Sequence, residues 1–139
     1  MINREILMRG HRYRKKIKVA AYDDEIEIRA LTEVEVTKIM RILESEGINP
    51  KESDETLSTN YRMLYWACRF GITDKSITGP LPDDMQAEMR EGPDDKFIYT
   101  GVDIMIGSSM RQIGSYIISI SSAGAEEVKD FLKAPKETT

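Results

Sequence analysis

His11, Cys68 and the aspartate pairs Asp23-Asp24, Asp83-Asp84 and Asp94-Asp95 are the side chains to weigh first for proton transfer, nucleophilic attack or metal binding. His11 stands among arginines with no second ligand near it, whereas a transition-metal site needs about three or four converging donors. Cys68 falls on the apolar side of a helical pattern with no histidine close in sequence, which predicts a buried, inert thiol. As the sole cysteine it forms no internal disulfide, in keeping with a reducing compartment. Each aspartate pair sits at a turn or at the start of a helical pattern, where aspartates cap free N–H groups and complement the helix dipole. Gly107-Ser108-Ser109 lacks the second glycine of a G-x-S-x-G elbow and follows no strand. No glycine loop with a lysine is present to cradle phosphate. The residues therefore predict a protein that is not an enzyme and that has no catalytic, cofactor-binding or metal-binding residues.

What remains is binding chemistry. The chain has eight methionines, and the flexible thioether suits either gap filling in a core or a surface that accepts varied apolar partners. Met85, Met89 and Met105 are candidates to line a groove for an apolar segment, with Tyr61, Tyr65 and Trp66 as an aromatic cluster beside it. Core packing is the competing reading of all six. The second candidate surface is basic: Arg9, Arg12, Arg14, Lys15, Lys16 and Lys18 lie within the first 20 residues, which carry +6 and leave −10 on the rest of a chain whose net charge is −4. Such an arm suits nucleic acid, an acidic partner or the acidic face of another copy. The acidic overall balance disfavours nucleic acid.

These side chains need elements to hold them. Residues 1–15 show no clear period and read as a flexible basic arm. Lys16 to Ala20 and Glu25 to Ala30 alternate apolar and charged residues around Tyr22-Asp23-Asp24, which predicts an antiparallel hairpin with lysines facing glutamates. Thr32 and Glu35 then form a capping box that starts a helix at Glu33, with Val36, Ile39, Met40 and Leu43 as its buried stripe and Gly47 as its stop. Ser53 or Asp54 is the expected cap of a second helix running to Phe70. Asp83 and Asp84 open a short helical piece that carries Met85 and Met89. From Asp94 or Asp95 a long helix is expected, with Ile98, Val102, Ile106, Met110, Ile113, Ile117 and Ile120 inward. Gly101, Gly107 and Gly114 weaken that helix or let a neighbour approach closely. A final short helix spans Ala125 to Leu132. The fold class is thus α+β and mostly helical, an N-terminal β-hairpin followed by four to five helices in a small bundle. Residues 16–134 form one globular domain of ordinary soluble composition, and 135–139 form a mobile tail. No apolar run is long enough to span a bilayer, and the opening residues carry no export pattern, so the expected place is the cytoplasm.

The hairpin, the Leu31-Thr32-Glu33 helix start and the closing run Ile120-Ser121-Ser122-Ala123-Gly124-Ala125-Glu126-Glu127-Val128-Lys129-Asp130-Phe131 resemble phage tail assembly chaperones over residues 16 to 132. The resemblance implies an assembly factor of a phage or prophage tail, without catalytic activity. Such a protein binds the tape measure protein, keeps it soluble and delivers it to the tail tube protein in the host cytoplasm. It also implies homo-oligomers and, in some members, a frameshifted longer product. The basic arm is longer than that pattern requires. The alternatives are a small nucleic-acid-binding or regulatory module acting through the arm, and a structural subunit of the tail or head completion.

Overall fold

Two helices packed backbone to backbone carry the rest of the molecule. A computed structural model describes residues 1–48, 60–122 and 124–133. Among them the order is α1 (Arg4–His11), β1 (Lys15–Val19), β2 (Asp24–Ile28), α2 (Glu33–Ser45), α3 (Tyr61–Gly71), α4 (Lys75–Thr78), α5 (Asp83–Met89), α6 (Gly107–Ser121) and α7 (Glu126–Lys133). The fold is α+β and mostly helical, with the strands confined to one antiparallel hairpin.

That hairpin has the register its alternation requires. Lys16 faces Glu27, Lys18 faces Glu25 and Ile17 faces Ile26. Ile17, Val19 and Ile28 are buried. The turn is a short 3-10 segment closed by Asp23, whose φ of 49° is left-handed, a conformation that aspartate tolerates better than most residues. The hairpin edge is extended by the chain after α3: the Arg29 N–H donates to the Gly71 carbonyl at 2.8 Å and the Thr73 N–H to the Glu27 carbonyl at 3.1 Å.

The switch from strand to helix lies at Arg29 to Glu35. Thr32 caps α2, its hydroxyl accepting from the Glu35 N–H at 3.3 Å, while a Glu35 carboxylate oxygen accepts from the Thr32 N–H at 2.9 Å. The Arg29 guanidinium forks onto the same carboxylate, with one limb at 2.7 Å. Burial alone would raise the Glu35 pKa. The Arg29 and Thr32 hydrogen bonds outweigh it and bring the group down to about 2. One residue before the cap, the Leu31 N–H donates to Ser121 Oγ at 2.8 Å, and that hydroxyl donates in turn to the Ile117 carbonyl at 2.6 Å. The joint is therefore tied to the end of α6.

α3 and α6 form the principal contact. A Cβ at Gly114 would stand 2.6 Å from the Leu64 carbonyl oxygen, and one at Gly71 would stand 2.7 Å from Ile117 Cγ2. The expected close approach of a helix at Gly114 is what the structure shows. Ile28, Cys68, Ile72, Ile113 and Ile117 fill the main core, and Ile39, Leu43 and Met63 form a smaller one between α2 and α3.

Several elements depart from the sequence reading. Residues 4–11, expected as part of an irregular arm, form α1, capped by Asn3, whose side chain accepts from the Ile6 N–H at 3.0 Å. α1 rests on α7, where Gly10 faces Leu132 and Tyr13 meets Phe131 edge-on at 5.1 Å. α3 starts at Tyr61 behind the cap Asn60; the caps expected at Ser53 or Asp54 lie outside the described residues, as does the 135–139 tail. α4, unforeseen, is capped by Asp74. The long helix expected from Asp94 or Asp95 begins only at Gly107. Between them Asp95 accepts from the Phe97 N–H at 3.0 Å, and Asp103 accepts from the Thr100 N–H at 2.6 Å. Short acidic side chains have taken the backbone donors that a helix would use. Ile98 and Ile106, expected inward, are accordingly exposed.

Two measurements test this architecture. Gly114→Ala gains about 1 kcal/mol of helix propensity, but the clash with Leu64 costs about 1–3 kcal/mol. The urea midpoint should fall at unchanged slope, and a rise would show that α3 and α6 do not need the approach. For Glu35, the folded pKa lies below the ordinary 4.5, so its stabilisation is present above that value and disappears as pH falls towards about 2. Glu35→Gln should lower stability at neutral pH by on the order of 2 kcal/mol and flatten the acid limb between those values. A parallel shift of the whole pH profile would contradict the assignment.

Candidate functional site

The chain between α5 and α6 does not pack flush against the hairpin, and the gap is a groove of about 460 Å³. Val19, Leu81 and Ile113 are its buried floor, and Ile26, Ile77 and Met105 its partly buried walls. Tyr22 and Ile104, 48% and 47% exposed, stand at its mouth, so it opens to solvent. Two contacts hold it in shape. The Tyr22 hydroxyl accepts from the Ile106 N–H at 2.7 Å, bracing the hairpin turn against the approach to α6. On the other wall Gly101 lies so close to Ile77 that an added Cβ would be 2.6 Å from its carbonyl oxygen.

A buried amide organises the same region. Gln86, on α5, donates to the Tyr99 and Leu81 carbonyls at 2.7 and 3.1 Å and accepts from the Tyr99 N–H at 2.9 Å. It thereby clamps the segments on either side of α5, in the way a strand pair would.

The rim is acidic. Asp24 and Glu25 line the groove, and an adjoining recess shares Glu25, Ile26 and Ile77 with it and adds Glu27, Asp74 and Lys16. Neither Asp24 nor Glu25 makes an ion pair among the described residues.

The residues singled out from sequence separate into three places. Met105 lies in the groove wall. Met85 and Met89 lie on α5 outside its lining, Met85 exposed and Met89 partly buried. Tyr61, Tyr65 and Trp66 lie on α3, where they are bound up with arginines. Trp66 stands edge-on to Tyr65 at 5.1 Å; the Arg62 guanidinium is 4.6 Å from the Tyr65 ring and that of Arg69 is 5.1 Å from the Trp66 ring. Glu46 accepts from Arg62 at 3.0 and 2.6 Å, joining α3 to the end of α2. Tyr61 is exposed, with Arg111 at 5.3 Å from its ring. Tyr65 is buried, and its hydroxyl donates to Asp103 at 2.7 Å. Burial and that carboxylate raise its pKa. The Tyr65–Asp103 bond links α3 to the segment that forms the groove wall.

The basic residues are distributed too. Lys15 reaches Glu127 at 3.5 Å, Lys18 reaches Asp23 at 3.1 Å, and Arg14 donates to the His11 carbonyl at 2.8 Å. Arg9 lies over the Phe131 ring at 5.9 Å. Lys16 and Arg12 are exposed. Of the candidates for chemistry, Cys68 is fully buried and its thiol is pushed up to about 12 by burial, while Ser109 is 2% exposed. Among the described residues no three or more His, Cys, Asp or Glu converge as metal ligands, and no helix is long and apolar enough to cross a membrane.

Sequence reasoning missed Tyr22, Ile77 and Ile104 as groove-lining residues. Gly101 was the one local sign, since a glycine weakens the helix expected across it; its approach to Ile77 is a tertiary contact that spacing does not disclose. No family model, curated protein or solved structure matches the chain. Fold and groove together define a small α+β protein with an open apolar site. Tyr65→Phe should cost about 1 kcal/mol and accelerate amide exchange at Ile104 and Met105; unchanged exchange there would show that Asp103 does not hold the groove wall.

Proposed function

We propose that this protein is a binding and assembly factor, without catalytic activity, that shields an apolar helical segment of a client. The observation that carries the reading is the solvent-open apolar groove between the hairpin and the 101–106 segment. Burial of apolar area there is worth about 25 cal/mol per Å² before ordering costs, and a groove of this kind takes apolar side chains spaced along one helix face. The acidic rim favours clients with Lys or Arg flanking those side chains.

The resemblance to tail assembly chaperones gives the client a class. In that role the protein binds the tape measure protein of a phage or prophage tail in the host cytoplasm, holds it soluble and passes it to the polymerising tail tube protein. The residues that carry the resemblance fall on the hairpin, on α2 behind its Thr32 cap and on α7, which starts with Glu126 and Glu127.

Co-expression with the long coiled-coil-rich protein encoded next to this chain, followed by pull-down, tests the role. A soluble complex is expected that persists at high salt with only modest weakening, because apolar burial carries it and the charged rim alone is screened, and that is weakened about tenfold by Ile104→Glu or Met105→Glu, a loss of roughly 1.4 kcal/mol. Met85→Glu, outside the groove, should leave it unchanged. Salt-sensitive retention of nucleic acid without a client complex would instead establish the basic-surface alternative.

A further inference from the structure

Ser109 is 2% exposed, and its Oγ has no hydrogen-bond partner among the described residues. Ser121 and Ser122, at the far end of α6, show what is missing. Each donates to the carbonyl four residues back, at 2.6 and 2.8 Å. For Ser109 that residue is Met105, which lies ahead of the first helical residue, Gly107, and even the Ser109 N–H turns to the Ile106 carbonyl at 3.0 Å. A buried hydroxyl without a partner destabilises the protein that carries it, and such groups are few in native structures.

The position of Ser109 ties it to the groove. Ser109 and Ile113 stand one turn apart on the same face of α6, and Ile113 is part of the groove floor. Because a helical Cα–Cβ bond tilts towards the N-terminus, the Ser109 hydroxyl lies on the side where the chain enters α6, and there Met105 forms the groove wall. Ser109 itself stands behind that lining. Met105 is partly buried, and its unbranched side chain changes rotamer readily.

We infer that Ser109 is a specificity-determining residue of the groove: when Met105 turns aside, its hydroxyl pairs with the hydroxyl of a tyrosine on the client segment. The inference rests on the groove being the client site. Val19, Ile26, Ile77, Leu81 and Ile113 require an apolar body, and a single hydroxyl at depth requires a single polar group at its tip. Phenylalanine would leave Ser109 unpaired. Lysine or arginine would carry to the floor a charge whose carboxylate partners, Asp24 and Glu25, stand at the rim, and an amide would bring more donors and acceptors than one hydroxyl satisfies. A site that hydrogen-bonds a hydroxyl discriminates against the analogue lacking it more sharply than an apolar pocket does by shape.

The test uses the purified full chain and two small probes, p-cresol for the tyrosine side chain and toluene for that of phenylalanine. Binding is read from the Met105 and Ile113 methyl resonances. Because p-cresol is the better solvated probe, the quantity compared is its affinity relative to toluene in parent and variant. That ratio should fall about tenfold in Ser109→Ala, while the urea midpoint holds or rises because an unpaired polar group has gone. Ser109→Cys, close in volume and a weak donor, should lower the ratio likewise. An unchanged ratio, a lower midpoint in Ser109→Ala, or methyl resonances that neither probe moves overturns the inference. The pull-down separates it from the client role. A client complex sensitive to Ile104→Glu but not to Ser109→Ala removes the tyrosine and leaves the proposed function standing, whereas the absence of any client complex counts against that function and not against the selectivity of the groove.

Discussion

The absence of a side chain at position 114 sets the distance between α3 and α6, and most of the structure follows from that distance. With the two backbones in contact, Cys68, Ile113 and Ile117 share one layer with Ile28 and Ile72. That layer fixes where the hairpin lies, because Ile28 and Ile72 form an antiparallel bridge that continues its edge. The hairpin in turn fixes its own turn, and the turn is one wall of the groove. Packing in protein interiors leaves few voids larger than a water molecule, so a displacement at Gly114 has no slack in which to dissipate before it reaches Tyr22 and Ile106.

The parts legible in the sequence are those in which local chemistry and periodicity agree. Lys16 to Val19 and Glu25 to Ile28 alternate cleanly, and burying one face leaves only one register. Thr32 and Glu35 satisfy each other across a helix start, a signal that needs no tertiary partner. At 94–106 the two sources conflicted. Isoleucines at helical spacing suggested a buried stripe, yet Asp95, Thr100 and Asp103 offered the backbone nearer hydrogen bonds, and Gly101 was committed to Ile77. Local bonds won: Val102 keeps its place in the core, while Ile98 and Ile106 are exposed.

The groove was only partly legible for the same reason. Met85, Met89 and Met105 are grouped by the flexible thioether they share, a property of residue type that does not say which of them face the groove; α5 carries Met85 and Met89 as the sequence predicts, but outside the groove lining. The aromatic trio on α3 was visible as a cluster; its engagement by Arg62, Arg69 and Glu46 depends on contacts between distant segments, which spacing alone does not disclose. Residues 1–14 lack an apolar stripe of their own. α1 is given its place by Phe131 and Leu132, more than a hundred residues away.

The lone thiol at Cys68 has a consequence of a different kind. It lies at the α3–α6 layer, its Sγ 3.3 Å from the Met110 carbonyl oxygen, fully buried and held protonated at ordinary pH by its surroundings. An alkylating reagent in solution reaches it only after those helices part. With no other cysteine in the chain, the protein carries a single built-in clock, and the rate at which it is labelled reads the frequency with which its central layer opens.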